Sequence, residues 1–191
     1  MKRFWISVVT MFGWKFDIPT ELTPEHKHSV YIMAPHTSIL DFFLGAACVW
    51  KLGINARFFM KKEFYNKFTR RFLDRCGVIP VDRGNLHNNL VYRAVQFFKS
   101  NTEGNIIITP EGTRKWVKRW KRGFYEIALQ ANVPIVLTYI DFGTRHMGVG
   151  PIFHPTGEFN DDMREIIKFY QDKTARHPEK FNKSALPYNH N

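Results

Sequence analysis

The chain has 191 residues, the size of one domain, and 44% of them are hydrophobic while 24% are charged. This balance excludes an intrinsically disordered chain, because enough apolar side chains are present to build a core. The formal net charge is +11 and phenylalanine occurs 18 times. We therefore expect an anionic partner: a membrane surface, a nucleic acid or a phosphorylated substrate.

The first 16 residues have basic ends and an apolar middle. Apolar side chains at 4, 5, 8, 9 and 12 recur at helical spacing, which predicts an amphipathic helix over 1–16 that lies in a membrane interface. The alternative is a terminal helix packed on the core of its own domain. No run reaches the roughly 20 apolar residues that a spanning helix needs, and the small-residue cleavage site typical of a signal peptide does not follow.

Strand-like and helix-like patterns alternate through the rest of the chain. We predict strands over 29–34, 55–60, 78–81, 105–109, 133–140 and 152–154, and helices over 39–52, 64–75, 86–99, 120–131 and 159–173. This alternation predicts an α/β fold, a single-domain sandwich with a mostly parallel central sheet flanked by helices. We divide the chain into the interfacial helix 1–16, a folded domain over 17–176 and a polar, frayed tail over 177–191.

A candidate base and its orienting carboxylate follow the predicted strand 29–34. His36 falls in the strand-to-helix turn, and Asp41 lies three residues after Ser38, which is the spacing of a helix cap. Because a carboxylate on one imidazole nitrogen leaves the other nitrogen able to accept a proton, the pair predicts a general base. The alternative is an ordinary cap beside an exposed histidine. No protein nucleophile accompanies the pair, so the base would activate a substrate hydroxyl.

Two later strands end in glycine-containing turns that carry an arginine. Arg83 follows the predicted strand 78–81, and Arg114 follows the predicted strand 105–109. Arginine forms forked hydrogen bonds to phosphate, and the carboxyl ends of parallel strands meet at one edge of a sheet. The pattern therefore predicts a phosphate site near His36. Lys61 follows another strand at this edge and is a third candidate cation; a solvated lysine is the alternative.

Together these segments resemble the four sequence blocks of the glycerolipid acyltransferases, the PlsC-type lysophosphatidic acid acyltransferase family. His36 and Asp41 match the H-x4-D block, 77–83 is similar to the second block, 111–114 matches the E-G-T-R block, and 133–136 resembles the fourth. The blocks occur in order, and the resemblance covers residues 31–139.

The resemblance implies an O-acyltransferase that moves a fatty acyl chain from a thioester of coenzyme A or acyl carrier protein to the hydroxyl of a lysophospholipid. The first expectation for the acceptor is 1-acyl-glycerol-3-phosphate, which would give phosphatidic acid. His36 would be the catalytic base and Asp41 its partner, with no metal or cofactor. We also expect the oxyanion to rest on the backbone N–H groups of Thr37 and Ser38. The implied substrate-binding residues are Arg83, Glu111, Gly112, Thr113, Arg114 and Lys61.

Three departures from the family pattern leave the acceptor open. Pro35 stands where asparagine is usual, Pro80 replaces the usual aromatic residue, and Leu137 begins the segment where a second proline is usual. A lyso-aminolipid is the alternative acceptor, and hydrolysis of the thioester by water is an alternative reaction.

Basic residues alternate with tryptophans over 114–122, a pattern that suits an anionic bilayer interface; a solvated basic face is the alternative. We expect a peripheral or monotopic protein on the cytoplasmic face of a membrane. The cysteine pattern, Cys48 and Cys76 alone, fits a reducing compartment. A basic nucleic-acid-binding module is the rival class. We expect no nucleic acid, because no binding motif for it occurs and the pair of His36 and Asp41 would then have no role.

Overall fold

The structure of the protein is a computed structural model that describes residues 2–81 and 90–184. It consists of a seven-stranded sheet with helices on both faces. The strands are β1 (Lys15–Asp17), β2 (Val30–Ala34), β3 (Ala56–Lys61), β4 (Val78–Val81), β5 (Asn105–Ile108), β6 (Ile135–Asp141) and β7 (His146–Phe153). The α-helices are α1 (Lys2–Met11), α2 (Pro24–Lys27), α3 (Leu40–Leu52), α4 (Arg70–Arg75), α5 (Leu90–Ser100), α6 (Gly123–Ala131) and α7 (Phe159–Tyr170). Two 3₁₀ turns cover Lys62–Phe64 and Pro178–Lys180.

The strand order across the sheet is β1-β7-β6-β2-β5-β3-β4. Strands β2 to β6 run parallel to one another. Strand β7 pairs antiparallel with β6, and β1 pairs parallel with β7, so these two run the opposite way. The predicted α/β class with a mostly parallel sheet is confirmed.

The central strand β2 divides the core into two layers. All five of its residues are buried, as expected for a parallel strand covered on both faces. Val30 and Ile32 face α5, α6 and α7, whereas Tyr31 and Met33 face α1 and α3. The layer that contains Met33 also receives the start of α3, so it adjoins the turn that carries His36.

The two reversed strands are where the sequence-based assignment differs most from the structure. Only 152–154 was predicted as a strand, but β7 begins at His146, and β1 was not predicted. Gly148 and Gly150 interrupt the alternation that would mark β7, and a three-residue edge strand such as β1 is too short for a pattern to identify.

Three further boundaries differ from the predictions. The predicted helix 64–75 is a 3₁₀ turn followed by α4. Helix α6 begins at Gly123 instead of Trp120, because Lys121 N–H donates to the Pro110 carbonyl at 2.7 Å and holds the preceding residues against the loop after β5. Phe181 is only 6% exposed in the core, so the expectation of a frayed chain from residue 177 is wrong at this residue. Positions 86–89 of the predicted helix 86–99 lie outside the described residues.

The amino-terminal helix both packs on the domain and exposes apolar side chains. Val9 and Trp14 are buried, and the indole N–H of Trp5 donates to the Phe43 carbonyl of α3 at 3.2 Å. The outward side chains are Phe4 at 69%, Met11 at 76% and Phe12 at 65% exposure. Among the described residues, none of the helices has the length and apolar character needed to cross a bilayer.

Substitution of Gly148 by alanine should detach β1 from the sheet edge. A Cβ at this position would lie 1.9 Å from the Asp17 carbonyl oxygen, and a contact this short cannot be relieved by a side-chain movement. We expect a loss of about 1–3 kcal/mol in the free energy of unfolding, measured by chemical denaturation, with faster proteolysis of residues 1–17. Gly123→Ala is the control, because its Cβ would meet nothing closer than 4.0 Å. Equal stability of the two variants would contradict this account.

Candidate active site

The turn that carries His36 connects β2 to α3 at the carboxyl edge of the sheet. Hydrogen bonds to several parts of the chain hold this turn. The backbone N–H of His36 donates to Glu111 Oε1 at 2.8 Å, and the Thr37 hydroxyl accepts the backbone N–H of His177 at 3.2 Å. The Ser38 hydroxyl accepts the N–H of Leu40 at 3.2 Å, in the first turn of α3. The turn is therefore fastened to the end of β5, to the carboxyl-terminal segment and to its own helix.

Asp41 is fully buried in the first turn of α3. Its Oδ2 accepts the backbone N–H groups of Thr37 and Ser38, each at 2.7 Å. The bond to Ser38 closes the turn directly before Ile39, the N-cap of α3, so the helix begins one residue later than the Ser38 cap that the Ser38–Asp41 spacing predicts. The carboxylate therefore stabilises the turn and the helix start at the same time.

The same oxygen of Asp41 faces the ring of His36. His36 Nδ1 lies 3.3 Å from Asp41 Oδ2, with the histidine side chain 16% exposed and the aspartate side chain 1% exposed. The two groups are within ion-pair distance but are not aligned as a hydrogen bond. The structure thus brings together the two residues predicted as base and partner.

The prediction of an oxyanion site at Thr37 and Ser38 is wrong. Both backbone N–H groups already donate to the buried Asp41 carboxylate. Releasing them would leave that charge with two fewer hydrogen bonds in a site without water access, which is strongly unfavourable. These two N–H groups bind Asp41 and are not available to a substrate.

Glu111 follows β5 and is only 2% exposed. Burial raises the pKa of its carboxyl to about 8, with a further contribution from the nearby charge of Asp41. Its Oε1 receives the His36 N–H, whereas no described group forms a hydrogen bond with its buried Oε2. Glu111 therefore contacts the backbone of His36 and forms no hydrogen bond with its ring.

Gly112 and Thr113 shape the loop between Glu111 and Arg114. Gly112 has φ +67, and a Cβ there would lie 3.1 Å from the Lys121 side chain, so this left-handed turn favours glycine. The Thr113 hydroxyl accepts the Lys115 backbone N–H at 3.3 Å. These local contacts order the loop, together with Lys121, whose backbone N–H donates to the Pro110 carbonyl.

Arg114 is half-buried on the same side of the sheet edge as His36. Its guanidinium lies 6.0 Å from the centre of the Phe64 ring. None of the carboxylates in the described part of the chain lies within 4.0 Å of it. A guanidinium with this setting can form a forked pair with a phosphate.

The two other predicted cations are placed only in part. Lys61 is the last residue of β3, at the edge where His36 and Arg114 also lie. Arg83 lies outside the described residues, so the predicted pair of guanidinium groups stays a prediction.

A cavity of about 290 Å³ opens beside His36, between α3 and the sheet. Its polar end contains His36, Thr109, Gly112, Thr113 and Arg114. Apolar side chains line the remainder: Met33, Ile39, Phe42, Phe58, Phe59, Met60, Phe64 and Ile107. The cavity therefore joins a polar end, which contains an imidazole and a guanidinium, to an apolar end.

The apolar lining is the part of the site that the sequence analysis did not find. Phe58, Phe59 and Met60 form the end of β3 directly before Lys61, and their place at a strand end was a usable signal. An apolar strand has the same pattern whether it faces a core or a cavity, so the cavity itself could not be predicted.

Comparisons with known proteins identify the family of this chain and a similar fold. A sequence model of the family described as Acyltransferase matches residues 17–141, which include all four blocks. The crystal structure of the 1-acyl-sn-glycerophosphate acyltransferase PlsC from Thermotoga maritima is similar in fold, with a TM-score of 0.61 and 16% identity. That match covers 88% of this chain and 73% of the other. No curated protein matches the chain in sequence.

The raised pKa of Glu111 should make stability depend on pH. Between its ordinary pKa of 4.5 and about 8, the folded protein keeps a proton that the unfolded chain releases, so stability falls as the pH rises through this window. Glu111→Gln keeps an acceptor for the His36 N–H but cannot ionise. We expect the free energy of unfolding of the wild type to fall relative to this variant from about pH 5 to about pH 8, measured by chemical denaturation.

The matched control is Glu126→Gln, which removes a surface carboxylate paired with Arg122. This control should follow the pH dependence of the wild type. The account of Glu111 fails if the wild type and Glu111→Gln change in parallel across the window.

Proposed function

Because this chain belongs to the acyltransferase family, we propose that it transfers a fatty acyl chain from a thioester to the free hydroxyl of a lysophospholipid. The acceptor we favour is 1-acyl-glycerol-3-phosphate, and the product is then phosphatidic acid. The donor is an acyl thioester of coenzyme A or of an acyl carrier protein. The observation that carries the proposal is the pair of His36 and Asp41 at the polar end of a cavity whose other end is apolar.

In the proposed reaction, Nε2 of His36, the nitrogen that does not face Asp41, takes the proton of the acceptor hydroxyl. The hydroxyl oxygen attacks the thioester carbonyl carbon, and the carbon–sulfur bond breaks. The thiolate leaves with the proton that the imidazolium returns, so protons balance and no acyl-enzyme forms. The buried Asp41 carboxylate stabilises the imidazolium while it exists.

Arg114 is the proposed contact for the acceptor phosphate. It lies at the polar end of the cavity, together with the base, and a guanidinium forms charge-assisted, forked hydrogen bonds with a phosphate. Arg83 and Lys61 are proposed as further cations for the same group. A phosphate held here leaves the glycerol hydroxyl close to His36, which favours a phosphorylated acceptor over a lyso-aminolipid.

The apolar end of the cavity is the proposed site of an acyl chain. Its walls are mainly aromatic rings, methionine and isoleucine, and burial of each methylene contributes about 0.8 kcal/mol. A chain bound there carries its carbonyl carbon at the polar end, beside His36. This arrangement would explain why a single cavity combines a cationic side chain, Arg114, with apolar walls.

Exposed apolar side chains lie in, or within a few residues of, the segments that line the cavity, and we propose that they form its entrance rim and enter a membrane interface. This entrance rim consists of Ile39 at 47%, Leu40 at 39%, Phe64 at 47%, Phe68 at 84% and Trp116 at 53% exposure. Ile39 and Phe64 also line the cavity. A lipid acceptor could then reach the base without crossing water.

Basic residues beside the rim would add attraction to anionic lipid. Lys115, Lys118 and Lys121 are exposed near Trp116, and each basic residue at such a surface contributes about 1 kcal/mol. Phe4 and Met11 on the outward face of α1, together with Phe12 directly after it, are proposed as a second contact, since α1 packs on the first turns of α3 through the bond from Trp5 to Phe43. The protein is then peripheral to the bilayer.

Replacement of His36 by alanine should reduce kcat for acyl transfer by at least about 10²-fold, the range of general-base catalysis. The assay offers labelled acyl-coenzyme A and 1-acyl-glycerol-3-phosphate to the purified protein and measures phosphatidic acid and free fatty acid separately. Release of free acid without acylated lipid would contradict the transferase proposal and indicate hydrolysis.

A second histidine–aspartate pair provides the control for this substitution. His146 lies 2.9 Å from Asp17, where β7 pairs with β1 and outside the cavity. His146→Ala should keep the kcat of the wild type. Transfer that survives His36→Ala would exclude this residue as the base.

The single substitutions Phe68→Ser and Trp116→Ser should each weaken binding to vesicles that contain anionic phospholipid. Removal of a large apolar side chain from a bilayer contact should lower the partition coefficient by about tenfold for each residue. The measurement is co-sedimentation at increasing salt, which should weaken binding through screening of the basic residues. Leu129→Ser, at an equally apolar exposed position on α6, should bind as the wild type does. Equal losses in all three variants would contradict an oriented surface.

A further inference from the structure

The chain that follows α7 runs along the carboxyl edge of the sheet, the edge at which the candidate active site lies. The N–H of Thr174 donates to Asp141 Oδ1 at 3.1 Å, at the end of β6, and the Thr174 carbonyl accepts the N–H of Phe142 at 2.8 Å. The N–H of His177 then donates to the Thr37 hydroxyl, in the turn after β2, at 3.2 Å. Because β6 and β2 are neighbours in the sheet, this segment crosses from one strand end to the next.

The same segment reaches a third strand end at Asn182. The side-chain amide of Asn182 donates to the carbonyls of Val117 and Lys118, at 3.2 Å and 3.1 Å, in the loop that follows β5. Strand β5 is the other neighbour of β2. Residues 174–182, which we call the carboxyl-terminal strap, therefore cross the ends of β6, β2 and β5 in the order in which these strands lie in the sheet.

Buried side chains fix the strap between its polar contacts. Ala175 and Phe181 are both buried in the core layer that also contains α5, α6 and α7. Trp120, at the end of the loop after β5, is buried in this layer as well, and its ring centre lies 5.4 Å from that of Tyr170, the last residue of α7. The strap therefore cannot shift without exposing apolar surface, which is unfavourable.

The loop that Asn182 binds also carries the proposed phosphate contact. The neck of this loop is closed by the N–H of Lys121, which donates to the Pro110 carbonyl at 2.7 Å. Arg114 lies in the first half of the loop, shortly before the two carbonyls that Asn182 binds. A closed neck does not fix the direction in which the rest of the loop points, so the contact with Asn182 is needed to place the guanidinium.

The strap connects this loop to the turn of the proposed base. One contact of the strap is with Thr37, the residue next to His36, and another is the pair of bonds from Asn182 to the loop of Arg114. The separation between the imidazole and the guanidinium therefore depends on the strap as well as on the sheet. A fixed separation suits an acceptor whose phosphate and reacting hydroxyl must be held in one geometry.

We propose that Asn182 is a positioning residue for the acceptor, because it holds the Arg114 loop at the distance from His36 that a phosphorylated lysolipid needs. The inference rests on the proposed acyl transfer and adds to it a residue outside the four sequence blocks. Asn182 touches neither the substrate nor the base. It raises the fraction of molecules in which the guanidinium is in place, and the apparent affinity for the acceptor scales with that fraction.

The first test compares Asn182→Ala and Asn182→Asp with the wild type, with labelled acyl-coenzyme A as donor. Alanine removes both donated hydrogen bonds, whereas aspartate keeps the side-chain shape and the acceptor for the Ser184 N–H but has no donor for the two carbonyls. We expect KM for 1-acyl-glycerol-3-phosphate to rise about tenfold in each variant, with kcat unchanged. An unchanged KM, or a loss of kcat alone, would overturn the proposal.

A double-substitution cycle shows whether Asn182 acts through Arg114. In an Arg114→Ala background there is no guanidinium to place, so Asn182→Ala should have no further effect on the affinity for 1-acyl-glycerol-3-phosphate. Coupling of this kind distinguishes one shared contact from two independent ones. An effect of Asn182→Ala that persists undiminished in the Arg114→Ala background would overturn the proposal.

Asn101→Ala controls for the general effect of losing an asparagine hydrogen bond. The Asn101 side-chain amide donates to the Phe97 carbonyl at 2.7 Å, between α5 and the amino end of β5, at the edge of the sheet opposite to the site. This variant should keep the KM of the wild type. Amide hydrogen exchange over 113–121 should be faster in Asn182→Ala and unchanged in Asn101→Ala. Equal exchange of this loop in the two variants would refute the strap.

A binding measurement separates this inference from the proposed function. The dissociation constant of 1-acyl-glycerol-3-phosphate, without thioester, should rise about tenfold in Asn182→Ala. Weakened binding in this variant, together with no acyl transfer by the wild type, would refute the proposed function and keep the role of Asn182. Transfer by the wild type, with the same KM and dissociation constant in both proteins, would keep the function and refute the positioning role.

Discussion

Asp41 binds two backbone N–H groups and faces the His36 ring from a position that solvent does not reach. These contacts depend on one another. The buried charge needs the N–H donors, the donors lie in the turn that carries His36, and the turn needs the carboxylate to begin α3. Because the Asp41 carboxylate is fixed, it orients the His36 imidazole before a substrate binds. Binding then costs no further conformational entropy for this side chain.

The sheet supplies what this turn cannot supply by itself. Strand β2 lies beside β5, and therefore Glu111 reaches the backbone of His36 while Arg114 projects at the same edge. Helix α3 then covers one face of these strands and leaves the cavity between. The His36 imidazole, the Arg114 guanidinium and the apolar walls meet because parallel strands end together, although their residues are far apart along the chain.

Sequence reasoning predicted those features that depend on short separations. His36 and Asp41 lie on one strand–turn–helix segment, so their spacing alone indicated contact. The bond from His36 N–H to Glu111 needed the neighbour of β2, which no local pattern specifies. The expected oxyanion donors were wrong for a related reason: Thr37 and Ser38 were assigned to substrate without knowing that Asp41 already occupies them.

The amino-acid sequence by itself determined three features: the alternation of strands and helices, the four family blocks and the histidine–aspartate pair. These features depend on the periodicity of apolar residues and on residues that lie close together along the chain, within one or two helical turns. The reversed strands β1 and β7, the cavity and the bond from His36 to Glu111 were decided only in the folded chain. They depend on contacts between elements that are distant in sequence. A sequence shows which residues are apolar, but it does not show which of them line a cavity and which pack against one another.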